Sequence, residues 1–271
     1  MIICYYSHIS KSFRYMNYYL ELIGILFLFV SFWFLVSLIR KRNDVADVAW
    51  GLGFVVLAWS SLYLSGNYEE RQVLVTALIT LWGLRLAWHI HSRNRKKGED
   101  YRYQAWREAW GKWFLLRSYF QVYILQGALL FCIILPVLYI QRESYSALNL
   151  RDLVGVIIWG IGFFFEVVGD YQLRAFAKNT ENKGKILTTG LWRYTRHPNY
   201  FGEVTCWWGI WIIAGSVTGS FWTIIGPLTI TYLILKVSGI PMLEKKYEGN
   251  QEFEEYKVKT SAFLPWFSGV K

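Results

Sequence analysis

The chain is poor in charge, proline and cysteine. Only 18% of its 271 residues are Asp, Glu, Lys or Arg, whereas about 25% is usual for a soluble domain. The three cysteines, Cys4, Cys132 and Cys206, have neither the spacing of metal ligands nor that of a disulfide framework. The four histidines also lack metal-ligand spacing, so we expect no bound metal.

Two nucleotide-binding signatures are absent as well. The chain has no GxGxxG between a strand and a helix, and no Walker A loop. A bound nucleotide would therefore have to sit in a helical site. Basic residues flank the apolar segments, which argues against nucleic acid as a partner. The first fifteen residues carry no signal-peptide cleavage pattern, and Met16 is a candidate start, so we expect residues 1–18 to be an N-terminal extension.

Apolar and aromatic side chains are abundant instead. They include 15 tryptophans and 19 tyrosines, and apolar residues make up 54% of the chain. The apolar residues occur in blocks near the length of a membrane-spanning helix, which is about 20 residues. We therefore predict an all-α polytopic membrane protein, with one domain over residues 19–271. Its roughly seven transmembrane helices would form one bundle, with spans at Tyr19–Ile39, Val48–Leu64, Val73–His89, Phe120–Ile140, Leu153–Gly169, Gly202–Ala214 and Phe221–Val237.

The basic residues predict the orientation, because cytoplasmic loops of membrane proteins are enriched in Lys and Arg. With the N-terminus outside, the inside segments carry 22 of the 29 Lys and Arg residues. These segments are Arg40–Asp47, Ile90–Tyr119, Asp170–Phe201 and the residues after Ser238. We expect an integral membrane protein with an outside N-terminus and a cytoplasmic C-terminus, in a bacterial inner membrane and in contact with its lipids.

The stretch Gly190–Glu203, called here the opening motif, places charged and polar groups at the mouth of an apolar segment. Pro198 suits the first turn of a helix, which would begin near His197. The N–H groups and dipole of that helix end would favour an anion, and two arginines immediately precede it. The ligand-binding candidates are Arg196, His197, Asn199 and Glu203, and the simpler alternative is a capped helix with interfacial arginines.

Three other groups of polar residues lie at the inside face. On the fifth predicted helix, Glu166, Asp170 and Arg174 recur every four residues and share one face. The third helix carries Arg85 and His89 at the same spacing, although Arg85 could instead extend to the interface. The tail resembles an amphipathic interfacial helix with a re-docked apolar end. Within the tail, the residues expected to reach the pocket are Glu244 and Tyr247.

Residues 190–203 resemble the C-terminal membrane domain of the steroid 5α-reductase family. The similarity extends to Asp170-Tyr171 with Leu173-Arg174, and to the tail 253–266. Residues 47–51 and 82–85 resemble a bacterial branch of unknown function, so that the likeness covers roughly residues 45–267. Sterol C14-reductases carry a similar Arg-His-Pro-Asn-Tyr sequence. Isoprenylcysteine carboxyl methyltransferases carry a similar Arg-His-Pro-x-Tyr sequence and a similar acidic tail.

The resemblance implies a seven-helix bundle that binds NADPH, with the cofactor opening to the cytoplasm. It implies cofactor roles for Arg85, Asp170, Asn199 and Glu203, while Tyr194 matches directly. Two further positions are occupied by a different residue from the family's: Lys185 stands where the family often has arginine, and Glu166 where it has asparagine.

The substrate half departs from the steroid enzymes. In those enzymes a glutamine–glutamate pair on the second helix and a tyrosine on the third hold the ketone. The corresponding positions here are Gly53 with Phe54, and Trp82. The sequence therefore does not predict that the protein reduces a C=C bond conjugated to a steroid ketone.

We expect an NADPH-dependent reductase of an activated C=C bond in a lipophilic, steroid- or isoprenoid-like substrate. The candidate donors to the developing enolate oxygen are Asp47, Tyr200 and His197. One alternative is a membrane methyltransferase that uses S-adenosylmethionine, with Glu203 and Glu244 near the cofactor. Another is a lipid-binding relative without catalysis. The Asp170-Tyr171 stretch favours the reductase.

Overall fold

The structure is a computed structural model that describes residues 2–95, 97–144 and 146–266, with side chains described from Met16 onward. All regular structure in these ranges is helical, and no strand occurs in them. The chain divides into two compact units, Met1–Ala147 and Leu148–Lys271.

The first unit contains α1 (Ile2–Arg40), α2 (Val45–Ser65), α3 (Glu70–Asn94), α4 (Tyr101–Trp110), α5 (Phe114–Ser118) and α6 (Leu125–Glu143). A π-helical turn, Tyr119–Ile124, joins α5 to α6. Helices α2 and α3 approach closely at Gly51 and Gly83, where an added Cβ at Gly51 would lie 2.6 Å from the Gly83 carbonyl oxygen. The close contact therefore depends on small residues, as is common in membrane helix pairs.

The second unit contains α7 (Leu150–Lys178), α8 (Pro198–Ala214), α9 (Ile225–Tyr232), α10 (Ile240–Lys245) and α11 (Gln251–Lys259). Asn149 caps α7, and its side chain accepts a hydrogen bond from the Arg151 N–H. A π-helical turn, Leu233–Val237, and the break at Ser238 and Gly239 separate α9 from α10.

Among the described residues, six segments are long and apolar enough to cross a membrane. They are Met16–Arg40, Val45–Ser65, Glu70–Asn94, Tyr101–Glu143, Leu150–Lys178 and Ser220–Lys245. The remaining predicted span, Gly202–Ala214, lies in α8, which has only 17 residues. The prediction of an all-α polytopic membrane protein is confirmed.

Candidate functional site

Glycines spaced seven residues apart bring α7 and α8 together as an antiparallel pair. Gly155 lies against Gly209, and Gly162 lies against Gly202. A Cβ added at Gly162 would lie 2.6 Å from the Gly202 carbonyl oxygen. Because a spacing of seven residues returns to nearly the same helix face, the glycines form one stripe along which the two backbones touch.

This close approach brings polar residues of α7 next to the opening motif. Gly169 faces the start of α8, where an added Cβ would lie 3.1 Å from the Asn199 backbone nitrogen. One residue further, the Asn199 side-chain nitrogen donates a hydrogen bond of 3.0 Å to Asp170 Oδ1. Asp170 and Asn199, to both of which the family resemblance gives a cofactor role, are therefore in direct contact across the helix pair.

The amide oxygen of Asn199 has no such partner. Its Oδ1 atom is buried, and among the described residues it accepts no hydrogen bond. A buried polar atom without a partner is costly and is uncommon in folded proteins. Asn199 therefore offers an acceptor to a ligand N–H group while its own amide nitrogen is held by Asp170.

Charges along α7 change sign from the buried to the exposed end. Glu166 is 2% exposed, and Asp170, one turn nearer the cytoplasmic end predicted from the sequence, is 6% exposed. The next residue at this spacing is the half-buried Arg174. On the facing helix, Gly202 packs on Glu166, and the half-buried Glu203 follows it. A ligand at this end would meet carboxylates deeper and basic groups nearer the surface.

The start of α8 is as the sequence predicts, with His197 as the N-cap and Pro198 in the first turn. Arg196 and His197, however, bind the protein's own Glu244. The Arg196 Nε and Nη2 atoms donate to the two Glu244 oxygens over 2.9 and 3.3 Å. His197 Nε2 lies 2.9 Å from Glu244 Oε1. These contacts join the opening motif to the end of α10.

Further hydrogen bonds join the opening motif to the residues after α10. The Arg196 N–H donates to the Ser261 carbonyl over 2.8 Å, and the Thr195 hydroxyl donates to the Phe263 carbonyl over 2.9 Å. The Trp266 N–H donates to the Tyr194 carbonyl over 3.0 Å. The predicted re-docked end of the tail is therefore held mainly through its backbone.

Helix α11 is amphipathic, as predicted. It buries Phe253 and Tyr256 and exposes most of its other side chains. The Tyr256 hydroxyl donates to the Trp192 carbonyl in the opening motif. Burial raises the pKa of the Tyr256 phenol above its ordinary value, so the group stays protonated and remains a donor.

The other predicted residues of this unit have varied surroundings. The Tyr200 ring stacks on His197, with centroids 5.4 Å apart. Tyr247 stacks on Phe253 at 4.9 Å, and Lys185 is exposed in the loop after α7. Sequence reasoning missed Thr195, Tyr256, Thr260 and Ser261, because their role depends on backbone contacts between distant segments.

Two predicted site residues lie in the first unit. Asp47, in the first turn of α2, accepts hydrogen bonds from Arg102 Nη2 over 2.8 Å and from the Tyr103 hydroxyl over 2.7 Å. Arg102 also binds Asp100, with Nε 2.9 Å from Oδ1. Arg85 lies half-buried on α3, with His89 one turn further along.

The positions that hold the ketone in the steroid enzymes contain an aromatic cluster here. Phe54 is 0% exposed and Trp82 is 1% exposed. Their rings pack edge to face with centroids 5.3 Å apart, and Trp50 contacts Phe54 in the same way at 5.2 Å. At Gly53 an added Cβ would meet the Leu130 side chain. The cluster is close-packed, and these side chains carry no carboxyl or hydroxyl group.

Comparisons with known proteins agree with the resemblance seen in the sequence. The family described as "Protein of unknown function (DUF1295)" matches residues 33–260. An uncharacterized protein of Schizosaccharomyces pombe is 24% identical over 86% of this chain and 76% of its own length. The bovine 3-oxo-5-alpha-steroid 4-dehydrogenase 1 is 38% identical over 26% of this chain and 27% of its own length. The likeness to the steroid 5α-reductase family is thereby confirmed.

A third relative comes from another class of enzyme. The probable O-methyltransferase ustE of Ustilaginoidea virens is 46% identical over 17% of this chain and 16% of its own length. The chain therefore spans only about a quarter or less of the bovine and fungal enzymes in these matches. No solved structure gives a significant match.

Proposed function

Because the chain belongs to the DUF1295 family of proteins of unknown function, we propose its activity from the site and from its steroid-reductase relatives. It is a membrane-embedded reductase that uses NADPH to saturate an activated C=C bond in a lipophilic substrate. The cofactor is held at the cytoplasmic end of α7 and α8, by residues of the opening motif and by Asp170.

The observation that carries this proposal is the Asp170–Asn199 pair with its unused acceptor. The residues fit a nicotinamide cofactor, because its carboxamide supplies the N–H donor that the buried Asn199 Oδ1 lacks. Glu203, one turn further along α8, is on the same face as Asn199. These groups would orient the cofactor, which when bound supplies hydride.

Basic residues near the predicted cytoplasmic end support a phosphate-bearing cofactor. Arg174 follows Asp170 by one turn, and Lys185 and Arg193 are exposed in the segment that connects α7 to α8. Arginine and lysine are the usual ligands of phosphate groups. The carboxylates lie deeper, so a neutral or cationic head would enter first and the phosphates would remain outside.

The substrate is a lipophilic molecule with a polarised double bond, and steroid ketones are not the favoured class. Addition of hydride to the β-carbon places the electron pair on the activating oxygen, and protonation at the α-carbon completes the saturated product. A donor near that oxygen stabilises the intermediate charge. Tyr200 and His197 are candidates in the second unit and Asp47 in the first. Phe54 has no hydrogen-bond donor, and Trp82 offers only its weakly acidic indole N–H.

An S-adenosylmethionine-dependent methyltransferase is the second candidate. The fungal O-methyltransferase match favours it, because that match is the most identical of those above, although it is short. The unused Asn199 acceptor would also suit the amino groups of S-adenosylmethionine. That cofactor has no phosphate, so the basic residues beside α7 would then have no ligand role.

The test is ligand titration of detergent-purified protein with NADPH, NADH and S-adenosylmethionine. We expect saturable NADPH binding, weakened about tenfold or more by Asn199→Ala, because a buried ligand donor would lose its acceptor. Adding Glu203→Ala should weaken binding further. Asn182→Ala is the matched control: Asn182 lies in the loop after α7, and its side-chain nitrogen donates to the carbonyl of Phe176 near the end of that helix.

The outcomes separate the candidates. Binding of S-adenosylmethionine alone, weakened by Asn199→Ala, would establish the methyltransferase alternative. Absence of binding by all three cofactors would contradict both enzymes and favour a lipid-binding protein.

A further inference from the structure

We propose that Arg196 and Glu244 are positioning residues, which fasten the C-terminal segment, residues 240–266, to the opening motif and thereby order the start of α8. This inference rests on the proposed cofactor site, and it assigns both residues a different role from direct contact with the cofactor. It also makes the C-terminal segment a required part of the site.

The guanidinium group of Arg196 is occupied by the protein itself. Its Nε and Nη2 atoms bind Glu244. Its Nη1 atom donates to the backbone carbonyls of Thr260 and Lys257, the latter over 3.3 Å. Arg196 is 8% exposed. A ligand phosphate would have to displace these partners, so we infer that the side chain holds the fold at this point.

The carboxylate of Glu244 is occupied in the same way. Oε1 lies 2.9 Å from both Arg196 Nε and His197 Nε2, and Oε2 accepts from Arg196 Nη2. These three bonds all come from the two residues that immediately precede Pro198. Glu244 therefore fixes the N-cap of α8 from the side, two residues before Asn199.

Neighbouring contacts strengthen the same attachment. Three residues of the opening motif form hydrogen bonds with residues 256–266: Trp192, Tyr194 and Thr195. In each of these bonds the acceptor is a backbone carbonyl. The Phe201 ring packs edge to face on Phe263 at 5.8 Å. The C-terminal segment is thus bonded to Trp192 and to each of residues 194–197 of the opening motif, with the ion pair at residue 196.

Removing one member of a largely buried pair leaves the other charge without its partner, and it loosens both chain segments. The start of α8 would then shift, and Asn199 would no longer sit in register with Asp170. A displacement of the order of 1 Å at a binding group is enough to weaken a ligand contact strongly. The effect on cofactor binding would be indirect, so losing the second partner should add little.

A double-mutant cycle tests this coupling, with NADPH affinity and amide hydrogen exchange as two readouts. Arg196→Met and Glu244→Gln should each weaken NADPH binding about tenfold or more and speed exchange across residues 256–266. The double variant should bind NADPH about as well as the more impaired of the two single variants, because both changes break the same interaction. Arg196→Lys, which keeps the charge, should retain part of the protection.

Glu248→Gln removes an exposed carboxylate four residues after Glu244 and serves as the matched control, with no expected change in either readout. Affinity losses that multiply in the double variant, with normal exchange of residues 256–266, would show that both side chains bind the cofactor and would overturn the proposal. Unchanged exchange and affinity in both single variants would also overturn it.

The exchange measurement keeps this inference separable from the proposed function. If the wild-type protein binds no NADPH while the single variants still release residues 256–266, the reductase proposal fails and the attachment stands. If the wild-type protein binds NADPH while the single variants leave residues 256–266 protected, the reductase proposal stands and the proposed attachment fails.

Discussion

Asn199 and Glu244 show how differently two polar side chains of the same site are used. Asn199 is half satisfied, since its nitrogen binds Asp170 while its oxygen has no partner among the described residues. Glu244 uses both oxygens within the chain. In the proposed site, the half-satisfied amide of Asn199 is a ligand position and the fully bonded carboxylate of Glu244 is a structural one. Residue type alone does not separate these cases.

Asp47 gives a prediction at the scale of a single residue. The Asp47 carboxylate accepts one hydrogen bond from the charged Arg102 and one from the neutral Tyr103 hydroxyl. The substitution Asp47→Asn should therefore lower the free energy of unfolding by about 1.5–3 kcal/mol. Thermal unfolding of detergent-purified protein measures this loss. Glu108→Gln, which removes an exposed carboxylate on α4, should change stability little. Full stability combined with abolished turnover would instead indicate that Asp47 donates to substrate.

Helix α7 packs on α8 through glycines, so alanine substitutions at a contacting and at a non-contacting glycine of α7 can be compared. Gly162→Ala places a Cβ 2.6 Å from two backbone atoms of α8, and a backbone cannot move aside as a flexible side chain can. We expect a loss of about 1–3 kcal/mol and weaker NADPH binding, since Asn199 depends on the same contact.

Gly160→Ala, two residues earlier on α7, is the control for this prediction. An added Cβ there meets nothing within 4 Å, and alanine favours helix over glycine by up to about 1 kcal/mol. The melting temperature should therefore fall for Gly162→Ala and hold or rise for Gly160→Ala. Equal falls in the two variants would contradict the close contact of α7 and α8.

The helices could be predicted from the sequence, whereas the long-range side-chain contacts could not. The helices follow from long apolar blocks, and the start of α8 follows from Pro198, because both signals are local. The spacing of polar residues indicated which side of each helix carries Asp170 or Asn199, but the contact between the two side chains required the structure. The bonds of Arg196 to Glu244 and Thr260 join residues 48 and 64 positions apart. No local pattern encodes which of several nearby charges will pair, so those bonds required the structure.

The distribution of charge belongs to the whole molecule. Of the 29 Lys and Arg residues, 22 fall in segments that the predicted topology places on one side. The site residues of the second unit lie in or beside these segments, including the opening motif and the C-terminal segment. A cofactor made in the cytoplasm could reach them only if that side is the cytoplasmic one, so topology is a condition of the proposed function.

Reporter fusions in a bacterial host test this topology. Alkaline phosphatase, which is active only outside the inner membrane, should be inactive when fused after Lys271, while green fluorescent protein at the same position should fluoresce. A phosphatase fused in the α6–α7 connection, after Ala147, should be active, because the positive-inside rule places that connection outside. This second fusion controls for expression and export. An active phosphatase at Lys271 would put the opening motif on the wrong side for NADPH, and the reductase proposal would fall with the topology.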